Sequence, residues 1–257
     1  MTGGRVLLFA LAAVVGALCG TVPFIPASYL AHQLEEASNG SFQLAEADGT
    51  IWNGRARPVF VSGGETEAAR ITAFPALVQW RLGEVGVAPM RAVLHISGPG
   101  VVERPFEVRV LRDGIQLGPG AVRVPAEILE GAGSPLNTLK LGGLTALAWD
   151  TLAWRSGLIE GNVTLDWTQA RSALSRVEPL GNYRFTAQGT GPQVGFSLTT
   201  LTGPLLLQGN GTWQSNRGVQ FRGEARAEQS RLAELAPLLG LLGRFLGPGV
   251  VELRIGS

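Results

Sequence analysis

Leu205-Leu-Leu-Gln-Gly-Asn-Gly-Thr-Trp-Gln-Ser-Asn-Arg-Gly-Val-Gln-Phe221 reads as two β-strands joined by a turn. Leu205 and Leu207 lead through Gly209-Asn210-Gly211 to Trp213, and Ser215-Asn216-Arg217-Gly218 sends the chain back through Val219 and Phe221. The same period of two recurs upstream. Phe106, Val108 and Val110 alternate with Glu107, Arg109 and Leu111, and Asp113-Gly114 then precedes Ile115 and Leu117, an Asp-Gly hairpin signal. Val163, Leu165 and Trp167, then Tyr183, Phe185 and Ala187, then Val194, Phe196 and Leu198 each supply one apolar face, with polar residues or glycine between. Short alternating strands separated by turns predict a mainly β protein built from antiparallel strands. One apolar face per strand implies a single curled sheet or two packed sheets.

Helices are predicted to be few and short. Ala27 to Ala37 reads as a helix stopped at Asn39-Gly40; Pro125 to Leu129 and Thr168 to Val177 each suit a short helix. Ser230 to Leu246 carries leucines at helical spacing, but Pro237, Gly240 and Gly243 predict a kinked or broken helix that packs on the sheet. The six Trp (52, 80, 149, 154, 167, 213) fall within or beside the strands, and the Gly-x-Gly triplets at Gly98, Gly118, Gly189, Gly209 and Gly247 read as turns. The small-residue stretch Gly131 to Pro135 could divide two domains, but strand patterns resume on both sides, so one continuous domain is expected.

Composition narrows the chemistry. Of 257 residues, 36 are Gly and 15 Pro, and only 16% are charged, against about 25% in an average soluble protein. Lys and Arg (21) nearly balance Asp and Glu (20), which gives no basic surface for a nucleic acid. One Cys excludes an internal disulfide, and with two His it leaves no basis for a Cys/His metal site. No nucleophile elbow, phosphate loop or completed dinucleotide fingerprint occurs. His32 and His95 have no clustered carboxylate in sequence, and the four Asp (48, 113, 150, 166) carry no local partner signature. The expectation is a protein without enzymatic activity or cofactor.

Val6 to Val22 is a run of 17 uncharged, mostly Leu, Val and Ala residues preceded by Arg5. At 1.5 Å per residue it is about 26 Å long, and Pro23 to Ile25 bring it close to the ~30 Å hydrocarbon core. It exceeds the ~7–15 residues of a signal-peptide core, and no small-x-small cleavage site follows. A retained single-pass anchor over residues 1–25 is therefore expected, with Arg5 on the cytoplasmic side. Residues 26–257 would then form a periplasmic β domain, with 20 basic and 20 acidic residues and no Cys, since Cys19 falls within the span.

These features resemble the type II secretion system protein N family, single-pass inner-membrane proteins of Gram-negative bacteria. The resemblance is carried by the anchor followed by Asp48-Gly-Thr-Ile-Trp-Asn-Gly-Arg-Ala56 and by Pro179-Leu-Gly-Asn-Tyr183. It continues through Leu201-Thr-Gly-Pro-Leu205, Gly209-x-Gly211-Thr212-Trp213, Phe221-Arg-Gly-Glu-Ala225 and the Leu-rich stretch from Leu235 to Gly243. It implies an accessory role in moving folded exoproteins across the outer membrane. The implied partners are the inner-membrane platform, the coupling protein and the outer-membrane secretin, reached by strand addition at a sheet edge or by an aromatic patch. Trp52, Asn53 and Gly54 are the candidate site, either a fold-setting turn or a partner contact. The alternative function is lipid handling by a membrane-tethered sheet with an apolar concave face, which a closed, side-chain-filled interior would argue against.

Overall fold

The computed structural model describes residues 24–62, 70–87, 90–132 and 139–256. The predicted anchor with its Cys19 and most of the Gly131–Pro135 stretch lie outside these residues. Among the described residues, no helix is long and apolar enough to cross a membrane.

Among the described residues, eighteen strands form one antiparallel sheet whose order in space follows the order in sequence, except at the C-terminus. β1 (Phe42–Gly49) pairs with β2 (Asn53–Ser62), and β3 (Arg70–Ala73) and β4 (Val78–Val87) pair with successive halves of β2. β5 (Met90–Ser97) follows, then two broken ribbons: β6 (Val102–Arg104) with β7 (Phe106–Leu111), and β8 (Gly114–Leu117) with β9 (Gly120–Pro125). The breaks fall at Pro105 and at Gly118-Pro119, where proline has no N–H to give the ladder. β10 (Leu141–Trp149) pairs with β9 and β11 (Leu152–Arg155) with β8, and both pair with the long β12 (Leu158–Ser172). β13 (Gly181–Gly191), β14 (Gln193–Thr202), β15 (Leu205–Gln214) and β16 (Gly218–Ala227) continue the meander. At the end β18 (Val250–Ile255) pairs with β16, and β17 (Arg244–Gly247) lies outside it. Among the described residues β1 and β17 each pair on one side only. The sheet curls enough for the 3₁₀ segment Ala126–Ala132, which follows β9, to touch β2.

Cross-strand register gives the sheet one polar and one apolar face. Asp166 stands opposite Arg184 on the polar face, whereas Leu165, Phe185, Leu198 and Gly209 form a lateral row on the apolar one. Gly209 and Gly211 are not turn residues, contrary to expectation; they lie inside β15. A Cβ on Gly211 would come 2.6 Å from the Phe196 ring, and one on Gly209 would strike Phe221. The bare backbone lets those rings stack across the intervening strand with centroids 6.0 Å apart. The Asp113-Gly114 signal is shifted in the same way. Leu111 pairs with Gly114, so Arg112-Asp113 form the loop, and Gly114 opens β8 where a Cβ would meet the Trp154 carbonyl.

Three covers pack on the apolar face. The helix Ala27–Ala37 matches its predicted bounds and lays Ala27 and Leu30 against Ala56, Trp80 and Leu44. The 3₁₀ segment Ala126–Ala132 occupies the position predicted for a short helix. The C-terminal helix spans Leu232–Leu242 and buries Leu235, Leu238 and Leu239 against Leu205, Ala225 and Val251. It ends earlier than predicted: after Gly243 the chain turns into β17, so Arg244 to Leu246 are strand. The predicted helix Thr168–Val177 is absent; β12 runs through Ser172, with Ala170 paired to Gly181 and Ser172 to Leu141. Two strand partners outweigh a weak local helical tendency there. Beside this corner, the Tyr183 hydroxyl lies between the Leu180 and Leu205 carbonyls at 3.0 and 2.9 Å, and burial pushes its pKa above the usual tyrosine value.

Candidate functional site

Trp52, Asn53 and Gly54 close the first hairpin. Thr50 organises the turn: its hydroxyl accepts the Trp52 and Asn53 N–H groups at 3.3 and 3.2 Å, and its own N–H donates to the Asn53 carbonyl at 2.9 Å. The turn is held from two sides. The Trp52 carbonyl accepts the Leu82 N–H of β4 at 2.6 Å, and the Ile51 N–H donates to the Ile25 carbonyl at 3.0 Å. Pro26 forms an isolated bridge with Thr50. The chain leaving the predicted anchor is therefore tied to this hairpin directly before the first helix begins.

Gly54 explains the spacing. It pairs with Gly49 on one side and Trp80 on the other, and a Cβ would stand 2.5 Å from the Trp80 ring and 2.7 Å from the Thr50 carbonyl oxygen. The Trp80 ring lies over the glycine, only 5% exposed. Its indole N–H is shared between the Thr50 and Ile51 carbonyls at 3.2 and 3.1 Å. Trp52 itself is half-buried. Sequence reading singled out the turn but not Trp80, which lies a strand away; the signal was the glycine following the turn, whose reason is this ring.

Several ionisable groups pair across strands on the polar face of the sheet, and one His–Glu pair lies on the N-terminal helix. Arg55 reaches Asp48 at 2.8 Å, Arg57 reaches Glu46 at 2.9 Å and Arg184 reaches Asp166 at 2.6 Å. His32 lies 3.3 Å from Glu36 and His95 3.6 Å from Glu107. Among the described residues, no three His, Cys, Asp or Glu side chains form a group that could hold a metal ion.

The hydrogen bond from Arg184 holds the Asp166 carboxyl below its ordinary value. A carboxylate with a lowered folded-state pKa stabilises the protein above its unfolded value, and that contribution is lost as pH falls through the folded one. Asp166→Asn should therefore cost under about 1 kcal/mol at neutral pH, because such exposed pairs are screened. The difference from wild type should shrink as pH falls through the folded value. Urea unfolding at neutral pH and in acid measures it; a difference that stays equal would show that the carboxylate charge is not the cause.

The family model described as "Type II secretion system (T2SS), protein N" matches residues 41–254, from the start of the sheet to its last strand. No curated protein and no solved structure matches the chain.

Proposed function

Because the chain belongs to the type II secretion system protein N family, whose membership implies a role in type II secretion, we propose that it is a non-enzymatic accessory component of that pathway. The reading rests on a match that spans almost the entire sheet. In it, residues 1–25 hold the protein in the inner membrane, and the β domain works in the periplasm to assist export of folded exoproteins. The inner-membrane platform, the coupling protein and the outer-membrane secretin are its partners. The open strands β1 and β17 offer edges for strand addition, the recognition mode that needs no site chemistry.

Within this reading the Trp52-Asn53-Gly54 turn sets the fold rather than touching a partner. Its support is the tie from Ile51 to Ile25, which fixes how the domain sits on its N-terminal segment. The test is deletion of the gene in its native host, with secreted enzymes assayed in medium and periplasm. Periplasmic accumulation, restored to secretion by the intact gene, is the expected result; unchanged secretion would overturn the proposal. Complementation with Trp52→Ala separates the roles of the turn. A folded variant that has lost its platform partners in crosslinking would make Trp52 a contact, against the present assignment.

A further inference from the structure

The polar face of the sheet carries a trough that crosses its strands. One row runs over six strands: Thr164 pairs with Thr186, Thr186 with Ser197, Ser197 with Asn210, Asn210 with Arg222, and Arg222 with Arg254. A second row lies beside it: Asn162 pairs with Gln188, Gln188 with Gly195, Gly195 with Thr212, and Thr212 with Gln220. Directly paired residues share a face, and so do residues two apart along a strand. The short side chains of Thr164, Thr186, Ser197 and Thr212 are half-buried and form a floor with Gly195. The longer amides and the two arginines are exposed and rise around it. Two clefts lie end to end along these rows, one of about 530 Å³ over β12 to β14 and one of about 370 Å³ over β15 to β18. Six strands at about 4.8 Å make the trough about 24 Å long.

Charge and hydrogen bonding set the trough apart from the rest of this face. Neither row contains a carboxylate. On the adjoining row Asp166 holds Arg184 at 2.6 Å, Glu224 holds Arg226 at 2.9 Å, and Glu252 stands opposite Arg244. Glu160 lies one step beyond Asn162, at the end remote from Arg222 and Arg254. Those two arginines stand opposite each other instead, a like-charge pairing that weakens a sheet. Neither enters an ion pair among the described residues. The amides of Asn162, Gln188, Asn210 and Gln220 make no hydrogen bond among the described residues, whereas Gln193 and Gln214, just outside, bond to each other at 2.9 Å. Uncharged amides and hydroxyls both donate and accept, as sugar hydroxyls do, while ionised groups offer only one of the two. Two adjacent guanidinium groups complement a carboxylate or a phosphate. The rows hold no apolar or aromatic side chain, in which the core of a protein interface is rich and on which bases stack.

We propose that this trough binds an extended oligosaccharide bearing a carboxylate or phosphate, with Arg222 and Arg254 on the acidic group and the amides on the sugar hydroxyls. The inference stands apart from the secretion role and fails or survives independently of it. The test presents the full chain, purified in detergent, to an array of uronic-acid, phosphorylated and neutral oligosaccharides. At least one acidic oligosaccharide should bind at least about tenfold more tightly than its neutral parent, and the array tells carboxylate from phosphate. Arg222→Ala with Arg254→Ala should remove that preference. Gly195→Glu should abolish binding: it sets a carboxylate on the floor, where nothing lies within 4 Å of an added Cβ. Arg155→Ala with Arg176→Ala takes the same charge from exposed positions outside the trough and should bind like wild type. Thermal melts show which variants are folded, and the two trough variants alter different strands, so one misfolded variant leaves the other to decide. Failure to bind any acidic oligosaccharide, equal binding of the neutral parents, or an equal loss in the outside-arginine variant would each overturn the proposal.

Discussion

Gly54→Val lowers the melting temperature by roughly 6–12 °C, about 3 kcal/mol for a chain of this size. The new Cβ would stand 2.5 Å from the Trp80 ring and 2.7 Å from the Thr50 carbonyl oxygen. Real side-chain atoms do not tolerate such approaches, so either the ring or the turn must move. If the ring moves, its N–H leaves the Thr50 and Ile51 carbonyls, and a nearly buried donor loses both acceptors. If the turn moves, the Leu82 bond and the Ile25 tie are broken instead. Gly195→Ala is the control, since nothing lies within 4 Å of its added Cβ; it should melt within about 2 °C of wild type. Trp80→Leu alone is also destabilising, but combined with Gly54→Val it should cost less than the two added together, by at least about 1 kcal/mol. Thermal melts of all four variants decide the matter. A Gly54→Val protein that melts like wild type would show that the ring does not rest on this glycine.

The contrast with Gly195 shows how much of this protein sequence could reveal. Alternation at Phe106 to Val110, Val163 to Trp167 and Tyr183 to Ala187 is a backbone property, so it predicted strands and their inward faces directly. Glycines that read as turn markers are ambiguous, because a strand glycine beneath a ring and a turn glycine look alike in sequence. Gly209 and Gly211 became legible only through Phe196 and Phe221, which reach them from neighbouring strands. Thr168 to Val177 failed for a related reason: its helical spacing is local, whereas its pairing with β10 and β13 is not. For the candidate site, Trp52 to Gly54 could be read as a turn, but the roles of Trp80 and Ile25 depend on long-range closure. An apolar row that Val85, Ala92, Val110, Ile115, Trp154 and Ile159 form side by side on six paired strands is invisible for the same reason, since each strand contributes only one residue to it.

That row also bears on how the domain is stabilised. A sheet with one apolar face must cover it, and here three short elements cover only one end. The N-terminal helix protects the Trp80 corner, and the C-terminal helix protects the corner around Leu205, Ala225 and Val251. Between them the apolar face is half-buried by its own curl. Stability is thus concentrated where the helices pack, while the hairpin end remains available for contact. Substitutions at the two ends should differ accordingly.

Leu235→Ala tests that division and should cost about 3–4 kcal/mol, the middle of the range for a buried leucine. Leu235 is fully buried in the C-terminal helix, packed in the cluster that includes Leu205, Ala225, Leu239 and Val251. The neighbouring strands are paired on both sides, so the backbone around the vacated volume has little freedom to collapse into it. A residual cavity therefore adds to the lost burial. On the opposite side of the same helix, Leu241 is 56% exposed, and Leu241→Ser should change stability by no more than about 0.5 kcal/mol. Ile115→Ser at the open end should fall between the two, because its side chain is 38% exposed and the rest is covered by its strand neighbours. Urea unfolding of the three variants gives the comparison. If Leu241→Ser were as damaging as Leu235→Ala, the helix would be packed on both sides and the assignment of a single buried stripe would be wrong. If Leu235→Ala were nearly silent, the C-terminal helix would contribute little to folding, and the sheet would hold its closed end together through Tyr183, Leu180 and the strand pairings alone.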